Sequence, residues 1–171
     1  MHKLRDAPGD AEADLSRQIE DIVGNCKVYV LGLGNTDRAD DGAGVLVALA
    51  LKKLFPSYSY SEHDGVEGTV LDISERKEDS TVLFVDAADL RLRPGSIRIV
   101  RKNDIRETEI STHRVAVALL AALLEAKGKC SAVVCIQPAI IEFRGDISPS
   151  VDKTIKRLVR VLVKLMEARD Q

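Results

Sequence analysis

Two adjacent acids, a third acid ending an apolar run, and a histidine opening a helix are the residues of this chain whose types could do chemistry together. They are Asp40 and Asp41, Asp86, and His113. The acid pair lies in "GLGNTDRADDGAG", Gly32 to Gly44, just after the apolar run "VYVL". This stretch begins like a dinucleotide-binding loop. That loop needs a third glycine for close helix–strand packing, and Asp37 stands at its place. An acid at the helix start would also repel a pyrophosphate, and no G-K-[ST] follows, so no nucleotide is expected.

Aspartate is a favoured N-cap at the positive end of a helix, which accounts for one of the pair. The other is left without an explanation. Asp86 closes "STVLFVDA", where a carboxylate is close to burial and needs a partner. His113 sits in "STHRVA". Singly, a cap, a hydrogen bond to a helix N-terminus and a surface imidazole would explain all three. Jointly, two carboxylates and an imidazole at the open edge of one sheet read better as an O/O/N site for a divalent ion. Such a set leaves positions free for thiolates, water or a carbonyl oxygen, and the ion could polarise that carbonyl, activate a water or orient a peptide. No H-E-x-x-H is present, Ser111 and Thr112 read as helix caps rather than nucleophiles, and Asp40 is a candidate base.

The elements that must position these residues alternate. "KVYVLGL" and "STVLFVDA" are continuous apolar strands of the kind buried on both faces. "SYSYSEHD" is a weaker strand, "GSIRIVR" a half-exposed one after the turn signal "RPG", and "SAVVCIQP" a strand ending at a proline. Val45, Leu46, Leu49 and Leu54 mark one helix, "GTVLDISERK" a short second and "THRVAVALLAALLEAKG" a third. A last helix starts at Ser148-Pro149, a cap followed by proline at the first position, and shows an apolar face of Ile155, Leu158, Val159, Leu162 and Leu165. Its other face carries Lys153, Lys156, Arg160 and Lys164, read as a solvated face rather than a docking site.

This alternation predicts an α/β fold: a three-layer α/β/α sandwich around a mostly parallel, twisted sheet. Residues 1–25 form an N-terminal extension, expected to be a surface helix over Leu15, Ile19, Ile22 and Val23, and residues 26–171 form a single catalytic domain. Ligands of such sheets bind beyond the C-terminal strand ends. That edge holds Gly32-Leu33-Gly34, Asp64-Gly65, Asp86 and Gln137-Pro138.

Composition agrees with a soluble globular chain. It has 171 residues, 25 basic against 27 acidic, and 45% hydrophobic. A chain of this length buries roughly 70% of its unfolded surface and needs no staple. The balanced charge gives no reason to expect nucleic acid as partner. Apolar runs such as "VAVALLAALL" are too short for membrane insertion, and the charged start has no signal-peptide core. The cysteines Cys26, Cys130 and Cys135 have no C-x-x-C spacing and are expected as reduced thiols of a cytoplasmic protein.

The same residues carry a family resemblance. "VLGLGNTDRADDGAG", "HDGVEGTVLDI", "VLFVDAADLRLRPGSIRIV", "ISTHRVAVALL" and "CIQPAIIEF", in this order, resemble the [NiFe]-hydrogenase maturation endopeptidases, from about Val28 to about Val163. They are most similar to the subgroup that processes formate-hydrogenlyase-type and related hydrogenases. Cys135 stands where that subgroup usually has glycine. The resemblance implies an α/β/α sandwich and places the catalytic and metal-binding roles on Asp41, Asp86 and His113. It implies substrate recognition by Asp64, although "DGV" here replaces the family's "DGG"; Gly65 and Gln137 join it as substrate-binding candidates.

The implied partner is a [NiFe]-hydrogenase large-subunit precursor, from which a C-terminal extension is removed once nickel is inserted. The Ni2+ is expected mainly as the ion carried by that substrate, with other divalent ions able to occupy the site in vitro. A non-enzymatic nickel-sensing chaperone for the large subunit is the alternative with the same triad.

Overall fold

The computed structural model describes the backbone of residues 8–101 and 112–169, and side chains from 11–101 and 116–169. Helix α1 (Pro8–Val23) leads into strand β1 (Lys27–Gly32), a 3₁₀ turn (Ala39–Gly42) and helix α2 (Ala43–Lys52). Strand β2 (Ser59–Ser61), a second 3₁₀ turn (Glu62–Asp64), helix α3 (Val66–Ser74) and strand β3 (Ser80–Ala87) follow. Strand β4 (Ile97–Arg101), helix α4 (Thr112–Ala126), strand β5 (Cys130–Ile136) and helix α5 (Pro149–Glu167) complete the chain. The five strands lie in the order β2-β1-β3-β5-β4, all neighbours parallel except β4, which runs antiparallel to β5 at one edge.

Burial follows from that order. β3 is central and seven of its eight residues are buried, which its unbroken apolar run anticipates. β4 has a neighbour on one side only within this sheet and alternates, with Val100 buried and Arg98 and Arg101 exposed. One face of the sheet is covered by α1, α2 and α5, the other by α3 and α4. This is the expected three-layer α/β/α sandwich.

Helix α1 packs against α5 and sinks Leu15, Ile19 and Val23 into the same apolar cluster as Val28, Val134 and Leu158. Its Glu12 accepts bonds from Arg160 and Lys164 at 3.0 and 3.2 Å. Lys156 pairs with Asp152 at 2.6 Å. Three of the four cations on the basic face of α5 are therefore engaged within the chain. Cys135 is buried in the second core cluster, Cys26 is half-buried and Cys130 exposed, and none of the three is in a disulfide among the described residues. No helix among the described residues is long and apolar enough to cross a membrane.

The face predicted for α2 needs correction. Val45 is buried, but Leu49 is exposed and Leu54 lies beyond the helix, also exposed. Val47, Ala48 and Leu51 are buried instead. This helix is wedged between the sheet and α5, so it is apolar nearly all round and its periodicity selects no single face.

Candidate active site

The glycines of the opening loop solve a packing problem. Gly44, in the first turn of α2, lies so near the sheet that a side-chain carbon there would overlap the carbonyl oxygens of Val85 and Leu33. Gly32 in turn faces the Gly44 carbonyl. Close helix–strand approach is thus supplied by Gly44, seven residues beyond the Asp37 position where a nucleotide-binding loop would place it. Gly34 has φ +113° and a side chain there would meet the Asp41 carbonyl, so the loop can fold back on its own 3₁₀ turn only through glycine.

That turn separates the two acids. Asp40 is fully buried and accepts four bonds: from the N–H groups of Ala139 and Ile140 at 2.8 and 3.1 Å, and from the N–H and hydroxyl of Ser148 at 2.7 and 2.8 Å. Burial is the largest single influence on its pKa and acts upward. The bonds from Ser148, Ala139 and Ile140 together outweigh it, so the net shift is downward. Asp40 is therefore a structural anion that ties the loop after β1 to the loop after β5. Its candidacy as a general base falls, because both oxygens are held by donors that favour the charged form. It is no helix cap either: Arg38 and Gly42 hold the cap positions.

Asp41, one residue on, is only half-buried, and accepts a single described bond, from the Asn35 N–H at 3.1 Å. The preceding amide, Gly34 N–H, donates to Glu62 at 2.7 Å. Glu62 stands in the 3₁₀ turn after β2, and Gly32 pairs with Ser61 next to it. Two consecutive amides of the loop are thus gripped by two carboxylates from different elements. Nothing in the local sequence of Glu62 signals this; it follows from β2 being the neighbour of β1.

Asp86 lies in register with Cys135 at the C-terminal end of β3 and is 5% exposed. The 3₁₀ turn carrying Asp41 packs against β3, and Leu33 N–H bonds the Val85 carbonyl at 2.8 Å. Asp41 and Asp86 therefore belong to one sheet edge. His113 is the second residue of α4, which packs against β5 and turns into it over residues 127–129. A helix that returns this way begins at the C-terminal edge of β5, which places the His113 backbone at the edge of Asp86. The His113 side chain, and the capping expected of Ser111 and Thr112, lie outside the described residues. Among the described residues, no three His, Cys, Asp or Glu side chains form a metal-holding group. The two carboxylates fit a divalent ion by donor chemistry, with the imidazole as the third donor of the expected set.

The substrate-binding candidates take separate places. Asp64 accepts from Lys52 Nζ at 2.6 Å and from Ser61 N–H at 2.8 Å, and the Lys52 bond foremost lowers its pKa. Gly65 holds φ +81° with open space around it, so its backbone angle, not its size, calls for glycine. Gln137 is buried; its Oε1 accepts the Leu90 and Leu92 N–H groups at 2.6 and 3.2 Å and shapes the loop after β3. Ser148 is the N-terminal residue expected at α5, but its hydroxyl serves Asp40 instead of capping the helix.

Comparison with known proteins identifies the family. The family model for HycI, hydrogenase maturation protease, matches residues 65–165. The hydrogenase 3 maturation protease of Escherichia coli (strain K12) is 33% identical over 136 residues, covering 78% of this chain and 86% of that protein. The crystal structure of the [NiFe] hydrogenase maturation protease HycI from Thermococcus kodakarensis KOD1 superposes with a TM-score of 0.75 at 25% identity, covering 88% of this chain and 99% of that one. The hydrogenase maturating endopeptidase HybD from E. coli gives 0.63 at 25% identity, covering 83% and 93%. These matches, to proteases and endopeptidases on the same sandwich, make the chain a peptide-bond hydrolase. The chain belongs to the hydrogenase maturation protease family.

Proposed function

We propose that this endopeptidase removes the C-terminal extension of a [NiFe]-hydrogenase large-subunit precursor, of the formate-hydrogenlyase type, in the cytoplasm, after nickel has been inserted. The observation that carries this reading is the division of labour in the acid pair. Asp40 is consumed by four bonds within the fold, whereas Asp41 is left at the sheet edge that also holds Asp86. With one described bond, from the Asn35 N–H, Asp41 keeps acceptor capacity for a ligand that Asp40 has spent within the fold.

In this reading Asp41, Asp86 and His113 give ligands to the nickel carried by the substrate. The gain is differential binding: a nickel-loaded precursor is anchored and its scissile bond is placed over the edge, whereas a nickel-free one lacks the anchor. Asp64, Gly65 and Gln137 would line the path of the substrate at the ends of β2 and β5. The test is a mass measurement on purified precursor, nickel-loaded and nickel-free. Shortening of the loaded form alone is expected; equal shortening of both would remove nickel from the reading. An intact precursor that stays bound would restore the chaperone alternative.

A further inference from the structure

We infer that the loop between β5 and α5, with its exposed Ile140, Ile141 and Phe143, is a docking rim for an apolar stretch of the polypeptide being cut. Phe143 is 70% exposed, and Ile140 and Ile141 are each over 40% exposed. Leu92, 41% exposed, projects from the neighbouring loop after β3. The other large hydrophobics exposed among the described residues, Leu49, Leu54, Leu71 and Leu119, belong to α2 and the turn that ends it, to α3 and to α4, not to this edge.

These side chains are not displayed on a slack loop. Asp40 fixes Ala139, Ile140 and Ser148, and its own N–H donates to the Ile140 carbonyl at 3.2 Å. Arg144 N–H bonds the Asp37 carbonyl at 2.6 Å, and the Arg144 guanidinium lies over the Phe143 ring at 5.3 Å. Gly145 passes so near Ala39 that a side chain there would crowd its methyl group. Leu92 is held through Gln137. A backbone tied at this many points cannot fold its apolar side chains back into the core. Exposed apolar surface held rigid is surface that gains from being covered.

The occupant follows from position. The tie runs through Asp40, one residue from Asp41, so the rim flanks the candidate catalytic edge. A polypeptide laid across that edge by an endopeptidase passes over the loops after β3 and β5. This assignment rests on the processing activity proposed above. The complementary partner is an apolar stretch of that same polypeptide.

The test is steady-state processing of nickel-loaded precursor by wild type and by Ile141→Ser/Phe143→Ser, with thermal melts of both. The side chains are exposed, so the melts should coincide. The KM of the double variant should rise about 10- to 100-fold with kcat unchanged. An unchanged KM beside normal wild-type cleavage overturns the rim alone. A wild type that neither cuts nor binds the precursor overturns the processing activity and, with it, the rim. Sedimentation of the free protein supplies the other check: a dimer that the double substitution abolishes would make a second copy the occupant and overturn the assignment.

Discussion

Asp40 accepts both the N–H and the hydroxyl of Ser148, at 2.7 and 2.8 Å, across 108 residues of chain. The bond joins the exits of two strands that are not neighbours, since β3 lies between β1 and β5. It makes two loops into one surface, with Asp41 on one side and the apolar rim on the other.

Asp40→Asn should therefore destabilise the fold by about 2–3 kcal/mol, because a charged acceptor of four bonds is replaced by a neutral amide that turns a donor toward other donors. The sign of the pH effect follows from the lowered pKa of Asp40. Its contribution is fully present above the unfolded aspartate value of about 3.9 and is lost as the pH falls through the lower folded value. Denaturant midpoints of the wild type and of Asp40→Asn, measured from pH 7 downward, should converge in strong acid. A constant gap across that range would show that the Asp40 charge is not what the loops require.

Two glycine substitutions should move stability in opposite directions. Gly44→Ala forces a methyl group into the Val85 and Leu33 carbonyls, which are backbone and cannot swing aside. A loss of several kcal/mol, on the order of 3, is expected, together with loss of cleavage as α2 and the Asp41 turn shift. Gly68→Ala, in the first turns of α3, meets no atom and has no positive φ. It should stabilise by about 0.5–1 kcal/mol through the unfolded chain. Melting curves of the pair decide this, and a neutral Gly44→Ala would refute the close helix–sheet contact.

Much of this arrangement is legible in the residues. β1, β3 and β5 announce themselves by apolar continuity, and β4 by alternation with a neighbour on one side only. The doubly wound pattern then puts Asp41 and Asp86 at one edge by rule. What the residues do not show is which acid of the Asp40–Asp41 pair is structural. The donors that consume Asp40 come from Ala139, Ile140 and Ser148, about a hundred residues away, and no local pattern encodes them. Glu62 is hidden for the same reason. The α2 face is illegible because both sides of that helix are covered.

Asp41→Ala and Val85→Ala should separate function from fold. Asp41 is half-buried with one described backbone bond, so its loss should change stability by less than about 1 kcal/mol while abolishing cleavage. Val85 is fully buried in the central strand, and its truncation should cost about 1–3 kcal/mol while leaving the edge residues in place. Paired melts and cleavage assays read both axes. If Asp41→Ala were the more damaging change in the melt, Asp41 would be reassigned as structural like its neighbour.

The last prediction concerns His113 and the nickel of the substrate. Two carboxylates alone are hard, weakly selective donors, and the imidazole supplies the borderline nitrogen that suits nickel. His113→Ala should therefore weaken binding of nickel-loaded precursor at least tenfold and abolish its cleavage, while leaving the weak binding of nickel-free precursor unchanged. Imidazole must be neutral to act as a ligand, so in the wild type the preference for the loaded form should be weaker in acid than at neutral pH. Titrations of both precursor forms against wild type and variant, at pH 7.5 and 5.5, check the two effects together. A variant that keeps the preference, or a wild type whose preference is the same at both pH values, would show that His113 is not a nickel donor and that the site discriminates through its carboxylates or through the protein surface alone.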